Sequence, residues 1–192
     1  GNCNDGAETE HGNSTINVDS ASASYYYRSK MKDPDFYVLI VYPDDSSELK
    51  QAAQVFFEAA DEHAKEVRVK AASDVLIPDI LACDVLVFGA GSGSPAQSGY
   101  SEIQRVFRGI NLRRRVAGLV YPGSDGEEGT ENSQDSNAFQ TCSFLSKMCE
   151  GTGLAQPLDC FAWNDELSEK ARVWMNDLIK EWERSREESI RS

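Results

Sequence analysis

The sequence predicts an α/β domain built as a three-layer, doubly wound sheet of five parallel strands in the order 2-1-3-4-5. Three observations carry this expectation. Residues 36–42 (FYVLIVY) and 84–92 (DVLVFGAGS) are apolar runs without polar alternation, as expected of strands buried on both faces. Each run is followed by a segment whose apolar residues recur at helical spacing. Strands alternating with helices need crossovers, and their right-handed sense places helices on both sides of a single sheet.

Residues 1–34 are rich in Ser, Asn, Gly, Asp and Glu, with hardly a branched aliphatic beyond Ile16 and Val18. They cannot bury enough surface to offset the entropy of ordering, so a flexible leader is expected. Two readings of Cys3 stand. It is a lipid-attachment cysteine on an acidic tether, which places the chain at the cell envelope, or part of an ordinary terminus of a cytoplasmic protein. The cluster Tyr25, Tyr26 and Tyr27 with Arg28, Lys30 and Lys32 reads as packing on the outside of the domain, with a sticky surface patch as the other reading.

The domain is expected over 35–184. After the strand at 36–42, Ser46 or Ser47 caps a helix in which Leu49, Ala52, Ala53, Phe56, Ala60 and Ala64 share one face. A short strand follows at 67–69, then one helical turn carrying Ile77, Ile80 and Leu81, then the strand at 84–92. A helix over 98–108 turns Ile103, Val106 and Phe107 inward, and 114–125 is the fourth strand. Residues 126–136 lack periodicity and read as a long loop, a feature usually functional or disordered in compact domains. A helix over 137–149, closed by Gly151 or Gly153, precedes a fifth strand at 154–161. The last helix, 166–183, buries Leu167, Ala171, Trp174, Leu178 and Trp182, and the charged tail 185–192 is expected to fray into solvent.

Nineteen basic and thirty-two acidic residues give a net charge of −13. This disfavours a nucleic-acid backbone or anionic membrane surface as partner and favours a cationic one. No apolar run approaches the roughly 18 residues that read as a transmembrane helix, so no such segment is expected. The cysteines (Cys3, Cys83, Cys142, Cys149, Cys160) form no CxxC, and His11 and His63 are the only histidines, so no zinc site or disulfide framework is expected. Cys142 and Cys149, two helical turns apart, share a face; with Cys83 and Cys160 they read as interior small hydrophobes. Neither histidine stands beside a nucleophile, and His63, near the end of the first helix, reads as structural.

In a sheet of this order, ligands bind outside the carboxyl ends of strands one and three, where the winding reverses. Residues 44–47, 89–100 and 122–136 converge there. Gly89, Gly91, Gly93 and Gly99 allow close backbone approach to a flat ring, and Tyr100 is the aromatic to stack on it. The same residues also read as a plain glycine-rich turn with Tyr100 capping the next helix. Glu127, Glu128, Glu131 and Asp135 make the third segment acidic, either a rim for a cationic partner or a solvated loop.

Residues 77–107, IPDILACDVLVFGAGSGSPAQSGYSEIQRVF, carry a short helix, an Asp opening the third strand, a strand ending in Gly89, a ligand-facing loop and a helix. In this pattern, and across nearly all of 36–183, the chain resembles the flavodoxin-like family of flavodoxins and FMN-dependent quinone reductases. The resemblance implies non-covalent FMN binding, in electron transfer or oxidoreductase chemistry. It implies contacts to FMN from Ser46 and Ser47 at the phosphate, from Gly91, Ser92, Gly93, Ser94 and Tyr100 in the second loop, and from Gly123, Ser124 and Asp125 in the third. The partners it implies are a basic redox protein or a small-molecule electron acceptor, with a homodimer as a further expectation.

The first loop departs from the family's Ser/Thr-rich, glycine-containing turn and is about two residues shorter. Pro43 lacks an amide donor. Asp44 and Asp45 repel a phosphate by on the order of 1 kcal/mol each or more, leaving Ser46, Ser47 and the first helical amides to hold an anion. A second reading follows: a flavin-free binding or interaction module on the same fold, tethered outside the membrane if Cys3 is lipidated, with a cation or amine near Asp44 and Asp45. A phosphorelay receiver, which places an acidic pair after strand one, is excluded. Strand three ends in Phe88 and Gly89 rather than an Asp, and no lysine lies in 154–164.

Overall fold

The computed structural model describes residues 35–94, 96–123 and 137–191, with side chains from 140 onward in the last segment. The leader (1–34) and the loop 124–136, with Ser124, Asp125, Glu127, Glu128, Glu131 and Asp135, lie outside the described residues. Five strands form one parallel sheet: β1 (Tyr37–Tyr42), β2 (Glu66–Ala71), β3 (Val85–Gly89), β4 (Val116–Pro122) and β5 (Phe161–Trp163). Their order, β2-β1-β3-β4-β5, is the one the sequence predicts. Val38 pairs with Val67 on one side and Val85 on the other, and Val85 pairs with Val116.

The helices are α1 (Ser47–Asp61), α2 (Ile77–Ala82), α3 (Ser101–Phe107), α4 (Asn137–Thr152) and α5 (Ser168–Arg191). Alternation along the strands divides the core into two layers. Val38, Ile40, Val85, Val87, Val116 and Val120 pack with the apolar faces of α1 and α5, where Phe56, Met175, Leu178 and Trp182 are buried. Leu39, Val41, Leu86, Phe88, Ala117 and Leu119 pack with α2, α3 and α4 through Ile80, Ile103, Phe107, Cys142, Leu145 and Cys149. Each fully buried side chain of the Val, Leu, Ile or Phe class contributes about 1.5–3 kcal/mol, so both faces of the sheet are secured. Gly118 in β4 lets Trp174 of α5 lie directly on the strand, because a Cβ there would overlap the indole.

Most boundaries shift by a few residues, with β3 ending at Gly89 rather than residue 92 and β4 spanning 116–122 rather than 114–125, and three shifts have a cause in the chain. The helix expected over 98–108 begins at Ser101, because the chain first turns through Gly99 with φ +85°. The fifth strand is residues 161–163 rather than 154–161. Ala155 bridges to Val116, but Pro157 has no amide to donate, and the chain leaves the sheet until Phe161 pairs with Val120. Cys160 therefore sits exposed in that excursion instead of inside a strand. The last helix does not fray at 184 but continues to Arg191. No Gly or Pro follows Pro157 to stop it, and Arg184–Glu181 and Arg191–Glu187 ion pairs lie along its exposed end. Among the described residues, no helix is long and apolar enough to cross a membrane.

Candidate functional site

The carboxyl ends of β1 and β3 point into the crevice that topology designates. Ser46 is the N-cap of α1, and its Oγ accepts from the Leu49 amide at 3.2 Å. That hydroxyl lone pair is committed to the helix, leaving Ser47 exposed at the first helical position. Asp44 and Asp45, just before the cap, turn toward the neighbouring loops. The Gly93 amide donates to Asp45 Oδ2 at 2.9 Å, and the Ser73 amide donates to Asp44 Oδ1 at 3.2 Å. The Asp44 amide in turn donates to the Ser98 carbonyl at 3.3 Å.

These contacts explain the glycines of the second loop. A Cβ on Gly93 would stand 2.5 Å from Asp45 Oδ2, and one on Gly91 would overlap Asp45 Oδ1. A Cβ on Gly99 would stand 2.5 Å from Asp44 Oδ2, at a φ of +85° that L side chains rarely adopt. The loop is thus shaped around the protein's own carboxylates. Their charge lies at the positive end of the α1 macrodipole and at a donated amide, the two features that make a helix N-terminus an anion site.

Tyr100 departs from the ring-stacking expectation. It is fully buried, its OH donates to the Gly89 carbonyl at 2.7 Å, and its ring meets Phe88 edge-on with centroids 6.3 Å apart. Burial pushes the phenol well above its usual pKa range, with Cys149, Asp44 and Asp45 adding to the shift. Tyr100 occupies the N-cap position of α3 without a side-chain cap bond, so the capping reading holds for its backbone only. The Ser98 hydroxyl, beside Gly91, is buried without a partner among the described residues.

Beyond the acidic loop, Ser92, Gly93, Ser94, Gln97, Gln140, Thr141 and Phe144 line a cleft of about 500 Å³. Ser92 and Ser94 are exposed, and Gln97 Oε1 accepts from the Ser94 amide at 2.9 Å. Thr141, at the start of α4, donates to the Gly93 carbonyl at 3.0 Å and fixes the far wall to the glycine loop. Gly93 is therefore held on both sides, by Asp45 at its amide and by Thr141 at its carbonyl. Among the described residues that line it, none is ionisable. Gln97 belongs to the glycine loop itself, whereas Gln140, Thr141 and Phe144 carry no motif of their own and are brought beside it only by the fold. Gly123 is half-buried, with its amide donated to the Trp163 carbonyl at 2.6 Å. Among the described residues, no group of three or more metal-ligating side chains assembles.

FMN, which the fold suggests, is tested by this donor set. The Gly93 and Ser73 amides are engaged by Asp45 and Asp44, and these two carboxylates stand where a dianionic phosphate would approach, while the Ser46 hydroxyl, which accepts from Leu49, keeps only its O–H to donate. The loop after β1 does not fit a phosphate.

No family model and no curated protein sequence matches the chain. Solved structures do. A flavodoxin of Streptococcus pneumoniae superposes with a TM-score of 0.60 at 13% identity, covering 76% of this chain and 99% of its own. A short-chain flavodoxin associated with a PDU bacterial microcompartment gives 0.61 at 13% identity, covering 77% and 99%. The diflavin flavoprotein A3 of Nostoc sp. gives 0.58 at 14% identity, covering 81% and 99%. At these identities the likeness concerns architecture: the chain has the flavodoxin-like fold.

Proposed function

We propose that this chain is a binding module on the flavodoxin-like fold that does not hold FMN through its phosphate, and that its cleft takes an uncharged, hydrogen-bonding ligand with one apolar face. The observation that carries this reading is the Asp45 carboxylate on the Gly93 amide, an internal anion in the place where an anionic ligand would be held. The cleft beside it offers hydroxyl and carboxamide groups and the Phe144 ring, a lining suited to a neutral polar molecule.

A second reading keeps FMN as an electron-transfer or oxidoreductase cofactor, with a basic redox protein or a small electron acceptor as partner. The superposition on flavodoxins and the position of the cleft at the carboxyl ends of the strands favour it. The two readings separate in one experiment. The purified chain is incubated with FMN, desalted, and examined by visible absorbance and by fluorescence-quenching titration. No flavin retained after desalting, and a dissociation constant for FMN weaker than about 1 mM, is the result expected of the flavin-free module. Stoichiometric flavin with a dissociation constant of about 1 μM or tighter, roughly −8 kcal/mol, overturns it in favour of the redox reading.

A further inference from the structure

Cys142 and Cys160 are eighteen positions apart in sequence and adjacent in space. Cys142 lies on the inward face of α4 and is 1% exposed. Cys160 is exposed in the excursion that Pro157 opens before β5. Their sulfurs are 2.7 Å apart, with the Cys142 thiol directed at Cys160 Sγ. That separation is only about 0.7 Å longer than a covalent disulfide of ~2.05 Å, and small side-chain rotations close it. Cys83 and Cys149, also buried, have no such neighbour among the described cysteines.

We propose that Cys142 and Cys160 are a redox-active dithiol that closes to an intramolecular disulfide joining α4 to the segment leading into β5. The exposed Cys160 is the attacking group. As a thiolate it attacks a low-molecular-weight disulfide, forming a mixed disulfide and releasing one thiol. The Cys142 thiol then loses its proton to solvent, and its sulfur attacks Cys160 Sγ and displaces the second small thiolate, which takes up a proton from solvent. The two protein thiols are oxidised by two electrons, and the small disulfide is reduced to two thiols.

The electrostatics agree with this division of labour. The hydrogen bond from Cys142 holds the Cys160 thiol below its usual range and the Cys142 thiol above it. Burial pushes Cys83 up to about 11 and Cys149 up to about 12, so neither competes as a nucleophile near neutrality. The bond has a structural reach. Thr141, next to Cys142, donates to the Gly93 carbonyl, so a closed disulfide pins the α4 wall of the cleft. The inference holds whichever ligand the cleft takes.

The test is peptide mapping of the full chain after exposure to millimolar glutathione disulfide, acid quenching and alkylation. Cleavage after Lys and before Asp puts the three cysteines of this region on separate peptides: 135–147 with Cys142, 148–158 with Cys149, and 159–164 with Cys160. The expected product is 135–147 linked to 159–164, reversed by dithiothreitol and formed at the same rate after tenfold dilution of the protein. Cys160→Ser, at an exposed position that should leave folding intact, abolishes the link. Cys142→Ser leaves Cys160 trapped as the mixed disulfide with glutathione. A Cys142–Cys149 link, a persistent mixed disulfide on Cys160 in the unaltered chain, or full alkylation of both cysteines overturns the proposal.

Discussion

Asp79 and Asp45 each anchor a turn through a backbone amide, in opposite surroundings. Asp79, in the first turn of α2, accepts from the Leu76 amide at 2.9 Å and from Lys70 Nζ at 2.6 Å, with Arg68 Nη1 at 3.5 Å. Two cations from β2 neutralise it, and it serves the scaffold. Asp45 accepts from the Gly93 amide at the mouth of the crevice, in a loop cut from glycine to receive it. The difference lies in what each acid ties together: Asp79 completes a helix start, whereas Asp45 joins the loop before α1 to the glycine loop.

The comparison is broken most sharply at Gly99. Gly99→Val places a branched side chain at φ +85°, against the Asp44 carboxylate and 2.9 Å from the Ser73 amide nitrogen, and should cost about 3 kcal/mol in chemical denaturation. Asp79→Ala should cost about 2 kcal/mol, since it strands a helix-start amide and two partly solvated cations.

Asp79 also predicts a pH dependence. Burial alone would raise its pKa, but Lys70, the Leu76 amide and Arg68 outweigh burial and hold it below the usual value. A carboxyl depressed in the fold stabilises fully above its unfolded pKa of about 3.9 and loses that stabilisation as pH falls through the depressed value. The unaltered chain should therefore lose stability below about pH 4 more steeply than Asp79→Asn. Two-state denaturation at several pH values measures this, and parallel curves would contradict the assignment.

Ser46→Ala removes the cap of α1 and should cost about 1 kcal/mol. Asp45→Ser should change stability by less than about 1 kcal/mol while freeing the Gly93 amide. Removing one carboxylate's repulsion, about 1 kcal/mol, should raise FMN affinity about fivefold. An unchanged affinity would mean that Asp45 is not what excludes the phosphate.

The scaffold was legible because it is local. The apolar runs of β1 and β3 and the helical spacing of Leu49, Ala52, Ala53 and Phe56 each declare an element without reference to the rest of the chain. The place of the fifth strand is not legible from local pattern, because Pro157 moves the pairing to Phe161 while the apolar residues at 154 and 158 pack without continuous pairing. The charged end of the last helix reads as fraying from composition alone, yet with no Gly or Pro to break it the helix runs on to Arg191. At the site, the unfavourable acids of the first loop were visible, but their destination was not. Asp45 meets Gly93 across 48 positions, and Cys142 meets Cys160 across 18, relations that exist only after the sheet has assembled. The sequence leaves Tyr100 between stacking on a ligand and capping the next helix, because a tyrosine after a glycine loop carries no sign of whether its ring faces the crevice or the core.

The most direct test of the internal anion is the ratio of FMN to riboflavin affinity in the unaltered chain, measured by flavin fluorescence under identical conditions. The two ligands share the ring and ribityl chain and differ by the phosphate alone. If the Asp44 and Asp45 carboxylates fill the anion position, FMN binds no more tightly than riboflavin, and with two repulsions of about 1 kcal/mol each it binds more weakly. FMN binding about tenfold tighter than riboflavin would mean that the phosphate is held after all, and would contradict this account of the loop.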